Sequence, residues 1–234
     1  MSKRITFQFD DNLDYQLQAV RSTVELFKGL SRQIDGIYRP NRTRKIGEGD
    51  PVRNNDIVVG TRLLENLRRV QLQNDLFADS ALEEGNNFTI EMETGTGKTY
   101  VYLRTILELY KEYGFKKFII VVPSIAIRKG VEKSMEQLQE HFKRLYNIDL
   151  SKHSFIYDSN NPKQISSKLV EGNDLSICVM NIQAFNKDTN KIRTEDEYGQ
   201  ILWEDIKYIK PIIIIDEPQK IEGTKRNKSK SLKA

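Results

Sequence analysis

The stretch from Ile90 to Thr99, I-E-M-E-T-G-T-G-K-T, constrains the fold more than any other part of this sequence. Gly95 and Gly97 have no Cβ, so the backbone there can adopt positive φ and point successive amide N–H groups at one polyphosphate. Lys98 adds a positive charge for the outer phosphates. Thr99 provides a hydroxyl suited to Mg²⁺ at the start of the next helix, whose N-terminus favours anions. The stretch therefore predicts a phosphate cradle.

The residues around the cradle favour a nucleotide site over the alternative, a glycine-rich turn between a strand and a helix. Phe88 to Met92 can form a buried strand, and Tyr100 to Tyr110 continues at helical spacing. The strict pattern G-x-x-x-x-G-K-[ST] has a glycine where this chain has Met92, so the match is a variant. We predict the order strand, cradle, helix.

Length and composition point to one α/β domain. A chain of 234 residues can bury one substantial core, and a net charge of +4 is compatible with a nucleic-acid partner without requiring one. The single cysteine, Cys178, excludes an intrachain disulfide, and the two separated histidines argue against a zinc cluster. The N-terminus has no apolar signal core, and no apolar run approaches the ~20 residues of a membrane helix. We therefore expect a cytoplasmic protein that does not bind a membrane.

The first third of the chain predicts two helices separated by a polar segment. Apolar residues recur at helical spacing from Leu13 to Leu30, with Gln16 beside the apolar stripe, where its amide can face either solvent or an adenine edge. From Ser31 to Val59 the periodicity fades into Arg, Lys, Asn, Gly and Pro, which predicts an exposed insertion or long loop. Helical spacing returns from Leu63 to Leu72.

Strand and helix patterns alternate after the cradle, which is typical of a parallel sheet covered by helices. The predicted strands are apolar on both faces, as central parallel strands are. They span Phe118–Val122, Ser154–Tyr157, Ser176–Met180 and Pro211–Ile215, and the predicted helices span Ser124–Tyr146, Pro162–Val170 and Tyr198–Ile209.

Two carboxylates follow the last predicted strand directly. Ile212 to Ile215 runs into Asp216 and Glu217, which places both acids at the C-terminal edge of the sheet, where open α/β folds bind ligands. In phosphoryl transfer an Asp at such a position holds Mg²⁺, and a neighbouring Glu can orient or deprotonate the attacking water. Two acids in a turn are common, but their position after a phosphate cradle favours a catalytic pair.

Four segments taken together resemble superfamily 2 helicases. They are F-D-D-N-L-D-Y-Q-L-Q-A-V around Gln16, M-E-T-G-T-G-K-T, V-V-P-S-I-A-I-R-K-G-V and D-E-P-Q. The P-S-I-A-I-R and D-E-P-Q forms more narrowly resemble the restriction (helicase-nuclease) subunit of Type III restriction-modification enzymes. This resemblance implies an α/β P-loop NTPase fold, a RecA-like parallel sheet with helices on both faces, of which this chain would hold the first helicase lobe.

The resemblance also implies roles for individual residues. Gln16 would contact the adenine of ATP, and Thr94, Gly95, Thr96, Gly97, Lys98 and Thr99 would hold its phosphates, with Thr99 and Asp216 near Mg²⁺. Glu217 would activate water, with Lys98 as the second catalytic residue. Double-stranded DNA would meet two loops that follow strands, at Pro123, Ser124, Arg128, Lys129, Asn181 and Gln183. Ser124 can equally be an ordinary helix N-cap, and Asn181 and Gln183 ordinary loop residues.

The same resemblance predicts how the chain is organised. We expect an adenine-contacting region at 1–30, a basic insertion and helix at 31–86, the RecA-like core at 87–219 and a basic tail at 220–234. A methyltransferase (modification) subunit would be the partner that recognises DNA. The second motor lobe, its arginine and a nuclease domain are not visible, so we expect a motor fragment that is inactive alone.

Two other functions remain open from the sequence. The chain could be a nucleic-acid or partner-binding fragment without an ATPase cycle, because a basic insertion and a basic tail flank the core. It could also be the motor lobe of another superfamily 2 helicase, of the Type I restriction or repair kind.

Overall fold

Four parallel strands form the centre of the part of the chain that the structure describes. The structure, a computed structural model, describes residues 9–29, 53–54, 61–82, 86–184, 186–195 and 202–222. The strands are β1 (Lys117–Val122), β2 (Ser154–Ile156), β3 (Ser176–Asn181) and β4 (Ile212–Ile215), in the order β2-β3-β1-β4. Their aliphatic sequences bury both faces of β1 and β3, as the middle strands of a parallel sheet require. All four predicted strands are confirmed.

Helices connect these strands. The described α-helices are α1 (Asp14–Glu25), α2 (Thr61–Gln73), α3 (Lys98–Tyr113), α4 (Ile125–Tyr146), α5 (Leu150–His153), α6 (Leu202–Ile209) and α7 (Pro218–Glu222). A π-helical segment spans Ile165–Val170, and a short 3₁₀ turn spans Ile182–Ala184. The predicted helices are thus present with shifted ends, and the first residues of the one predicted from Tyr198 lie outside the described residues.

The sheet has an apolar core on each face. Side chains of α1, α2, α3 and α4 pack with Phe118, Ile120 and Val122 of β1 on one face. The π-helical segment and α6 pack with Ile119 and Val121 on the other. The alternation along β1 therefore divides its side chains between two layers of helices. This is the α/β, RecA-like architecture that the sequence predicts.

The predicted strand Phe88–Met92 is wrong: residues 86–93 form no strand and pair with none of the four described strands. In a strand, Phe88, Ile90 and Met92 would share one face, yet Phe88 and Met92 pack against the core while Ile90 is 47% exposed. The segment is irregular, and its last carbonyl groups are used by side chains of the cradle.

One residue of the predicted insertion contradicts the expectation of an exposed loop. Asn54 is only 1% exposed, and its side chain bonds backbone groups of Lys116, Lys117 and Lys210. Apart from Arg53 and Asn54, the segment Ser31–Val59 lies outside the described residues.

Cys178 is fully buried in β3 as a free thiol, and burial raises its pKa. It is a core residue, as predicted. Among the helices that the structure describes, none has the length and apolarity needed to cross a bilayer.

Candidate functional site

The cradle is a tight turn built on two left-handed glycines. Gly95 has φ +84°, and Gly97, the residue before α3, has φ +86°. These angles are costly for any residue with a Cβ, which is why glycine occupies both positions. Lys98 is the first residue of α3, so the turn leads directly into a helix N-terminus. This arrangement favours an anion through backbone N–H groups and the helix dipole.

Two side chains of the cradle donate hydrogen bonds to the backbone that directly precedes it. The hydroxyl of Thr96 donates to the carbonyl oxygen of Glu93 at 2.6 Å. Nζ of Lys98 donates to the carbonyl oxygens of Met92 and Glu93 at 3.2 and 3.3 Å. Both of these acceptors are uncharged backbone carbonyls, and a phosphate is a stronger acceptor for an ammonium group.

Gln16 lies behind the cradle. Its side chain is buried, at 7% exposure, and its Nε2 donates to the carbonyl oxygen of Thr96 at 2.9 Å. A Cβ added at Gly97 would lie 2.6 Å from that Nε2. The described geometry thus makes Gln16 a support of the cradle backbone, and the adenine contact stays a prediction.

The two predicted acids follow β4 at the edge of the sheet. The backbone N–H of Asp216 donates to the carbonyl oxygen of Val121 at 2.9 Å, which holds the backbone of this residue beside the end of β1. Burial and the neighbouring Glu217 raise the pKa of Asp216, while the charges of Lys98 and Lys220 oppose the rise. Glu217 has φ +52° and an ion pair of 2.5 Å with Lys220. A non-glycine residue at positive φ is uncommon, and such strain clusters at active sites.

A single cavity of about 430 Å³ joins the cradle to both acids. Its size is within the range of pockets for small molecules and cofactors. Of the predicted site residues, it brings together Thr94, Gly95, Gly97, Lys98, Thr99, Asp216 and Glu217, and it does not include Gln16 or Thr96 in its lining. Five further lining residues were not predicted as site residues: Phe9, Tyr100, Ser134, Gln137 and Leu138. Ser134, Gln137 and Leu138 have the i, i+3, i+4 spacing of one helix face, a signal that the sequence carries.

The donor set of the cavity fits Mg²⁺ held together with a phosphate. The described residues contain no cluster of three or more His, Cys, Asp or Glu side chains that could hold a metal by themselves. Mg²⁺ is commonly bound by one or two carboxylates, with phosphate oxygens and water completing its shell. Asp216 and the hydroxyl of Thr99, which line the same cavity, match that pattern.

The two loops predicted to contact DNA lie together. Pro123 and Ser124 follow β1, Asn181 ends β3, and these strands are parallel neighbours. Nε2 of Gln183 donates to the carbonyl oxygen of Pro123 at 3.2 Å, which ties one loop to the other. Ser124 is also the N-cap of α4, since its Oγ accepts from the N–H of Ile127 at 3.3 Å.

Arg128 and Lys129 are in the first turns of α4, next to these loops. Lys129 is exposed and Arg128 is half-buried. Two adjacent strand ends and a helix start thus present polar and basic groups at one edge of the sheet, where they can meet phosphates.

A family model for "Type III restriction enzyme, res subunit" matches residues 11–231 of the chain. Three curated relatives are Res subunits of Type III restriction-modification enzymes. The chain is 30% identical to the EcoP15I subunit of Escherichia coli over 181 residues, which is 69% of the chain. It is 26% identical to the EcoPI subunit of Escherichia phage P1 over 244 residues, which is 94% of the chain. It is 31% identical to the StyLTI subunit of Salmonella typhimurium over 156 residues, which is 57% of the chain.

The alignments cover only a small part of each relative's length. The alignments cover 19%, 24% and 16% of the EcoP15I, EcoPI and StyLTI subunits, respectively. The chain thus spans about a fifth of the length of the curated relatives it matches.

Proposed function

Because the chain belongs to the family of Type III restriction enzyme res subunits, we propose that it is an ATP-dependent DNA helicase or translocase motor domain of a Type III restriction endonuclease. It binds ATP with Mg²⁺ and duplex DNA. Its hydrolysis of ATP drives translocation along DNA, and site-specific cleavage requires the other parts of the full enzyme. A modification (methyltransferase) subunit is the partner that we propose for DNA recognition. A cytoplasmic location follows from the same proposal.

The observation that carries this proposal is the cavity that joins the cradle to the two acids. Residues 94–99 would surround the phosphates with backbone N–H groups. Lys98, whose ammonium group now donates to the carbonyls of Met92 and Glu93, would bind the outer phosphate instead. Thr99 and Asp216 would hold Mg²⁺, which would neutralise charge on the phosphate oxygens. Glu217, which lines the same cavity and is paired with Lys220, is the residue that we propose to orient and deprotonate water.

Binding of ATP with Mg²⁺ to the 234-residue chain tests the cradle. Lys98→Ala should weaken binding about 10- to 100-fold, because a hydrogen bond to a charged group is lost. Lys111→Ala, which removes an exposed lysine from the same helix, should leave it unchanged. Glu217→Gln should spare binding but remove turnover when it is placed in a complete enzyme. Equal affinity of wild type and Lys98→Ala would rule out the cradle as the ATP site.

Duplex DNA is proposed to contact the loops at Pro123–Ser124 and Asn181–Gln183 together with Arg128 and Lys129. Substituting Lys129 by Ala should weaken binding similarly for all duplex sequences and reduce the slope of log K against log salt by about 1. Lys152→Ala, on α5, is the control for loss of one exposed positive charge. An unchanged salt slope in Lys129→Ala would remove Lys129 from the DNA contact.

A further inference from the structure

The hydroxyl of Tyr102 in α3 is buried without a partner. Its oxygen is shielded from solvent, and within the described residues it forms no hydrogen bond. The side chain packs against the apolar core that α3 and α4 share with β1. A buried hydroxyl that lacks a partner lowers stability, and phenylalanine would fill the same space without that cost. The hydroxyl of Tyr102 therefore calls for an explanation other than core packing.

The position of Tyr102 in α3 places its phenol group beside Thr99. The two residues are three positions apart, which makes them neighbours on one face of the helix. Long side chains of a helix lean toward its N-terminus, so that of Tyr102 covers the turn that contains Thr99. Burial raises the pKa of the Tyr102 hydroxyl, the adjacent Thr99 side chain lowers it, and the charge of Asp216 raises it. Thr99 and Asp216 are thus both close to this hydroxyl.

Thr99 and Asp216 line the cavity, whereas Tyr102 does not. Any effect of Tyr102 on a ligand in this cavity therefore passes through neighbouring side chains. A threonine hydroxyl has one proton to donate and two lone pairs. If one lone pair binds Mg²⁺ and the proton is donated to the carboxylate of Asp216, the second lone pair is left for a donor. A phenol, with an ordinary pKa of about 10, is such a donor at neutral pH.

We propose that Tyr102 is a positioning residue, whose hydroxyl donates to Oγ1 of Thr99 and thereby orients it for Mg²⁺. A threonine in a helix divides between two χ1 rotamers, and a hydrogen bond from Tyr102 selects one of them. The hydroxyl of Tyr102 then gains its partner when the site is loaded, so the cost of leaving it unpaired in the free chain is recovered on binding. This inference rests on the proposed function and adds to the site a residue that does not line the cavity.

Tyr102→Phe in the full chain removes only the hydroxyl and so tests this role. The Mg²⁺ concentration that half-saturates ATP binding should rise about three- to tenfold, the loss expected for a hydrogen bond between neutral groups. ATP binding in EDTA should stay unchanged. Without ligand, the variant should unfold at the same or a higher temperature, because it lacks the unpaired buried hydroxyl. Tyr110→Phe, about 12 Å further along the same helix, is the control and should not change the Mg²⁺ dependence.

A double-mutant cycle tests whether the effect passes through Thr99. In a Thr99→Val background, Tyr102→Phe should cause no further change in the Mg²⁺ dependence, and a change that persists there would overturn the role. A lower unfolding temperature of unliganded Tyr102→Phe with an unchanged Mg²⁺ dependence would make Tyr102 a structural residue only.

The lysine variant separates failure of this inference from failure of the proposed function. If Lys98→Ala weakens ATP binding while Tyr102→Phe leaves the Mg²⁺ dependence unchanged, the positioning role is wrong and the proposed ATP site stands. If Lys98→Ala binds ATP like the wild type, the proposed function fails together with the inference.

Discussion

Gly97 meets two separate demands at one position of the cradle. Its φ of +86° disfavours any side chain, and Nε2 of Gln16 occupies the space that a Cβ would fill. Gly95 has nearly the same φ, +84°, but a Cβ there would have nothing within 4 Å. The two glycines thus separate the cost of backbone conformation from the cost of crowding.

Substituting each glycine by alanine should show this difference. Gly95→Ala should lower the free energy of unfolding by about 1–2 kcal/mol, the cost of a left-handed conformation for a residue with a Cβ. Gly97→Ala should cost more, because the amide of Gln16 must also move away from Thr96. Urea unfolding of both variants, alone and combined with Gln16→Ala, measures the two contributions. The excess cost of Gly97→Ala should disappear in the Gln16→Ala background, and an excess that persists there would contradict the crowding argument.

At the scale of elements, β1 begins with a lysine that is buried. Lys117 is 0% exposed, and its Nζ donates to the carbonyl oxygen of Gly172, after the π-helical segment. Burial, with a smaller effect of Lys116, lowers the pKa of Lys117 from 10.5 to about 8, while Asp174 opposes the change. The ammonium group of Lys117 therefore bonds the first residue of β1 to the backbone that follows the π-helical segment, although burial disfavours its charge.

This lowered pKa predicts how stability depends on pH. A base whose pKa is lower in the folded state makes folding more favourable as pH rises from about 8 to 10.5, and that gain is lost as pH falls through 8. The difference corresponds to about 3 kcal/mol. Lys117→Met keeps the length of the side chain without the charge, so its free energy of unfolding should lack this rise. Urea unfolding between pH 7 and 10, with the exposed Lys111→Met as control, tests it. Parallel pH curves for wild type and Lys117→Met would contradict it.

The sequence identified the elements that have strong apolar patterns, and it missed those that depend on a distant partner. The strand β1 is aliphatic throughout, so its pattern alone indicates a buried strand. The segment Phe88–Met92 also alternates apolar and polar residues, but the carbonyl of Met92 accepts from Lys98, and that of the next residue, Glu93, accepts from Thr96, instead of extending a ladder. The cradle and the acids are contiguous motifs and could be predicted. Gln137, which lines the same cavity, could not, because its place there depends on how α4 packs beside the cradle.

At the scale of the whole molecule, Asn54 joins three segments that are distant in the chain. Its Oδ1 accepts from the N–H groups of Lys116 and Lys117, and its Nδ2 donates to the carbonyl oxygens of Lys117 and Lys210. Its own N–H donates to the carbonyl of Ile209. The side chain therefore satisfies backbone groups at the start of β1 and in the turn between α6 and β4, which local sequence patterns cannot reveal.

The bond from Gln16 to Thr96 connects residues 80 positions apart and makes α1 part of the cradle's backbone support. The conformation of the cradle and the packing of α1 are therefore coupled. A change in the cradle alters the stability of α1 packing, and a change in α1 packing alters the cradle by the same free energy. A ligand that orders the cradle would stabilise the packing of α1. A partner that displaces α1 would lower the affinity of the cradle for phosphate. If the cradle holds a nucleotide, as proposed above, α1 would transmit its presence to a neighbour that does not touch the nucleotide.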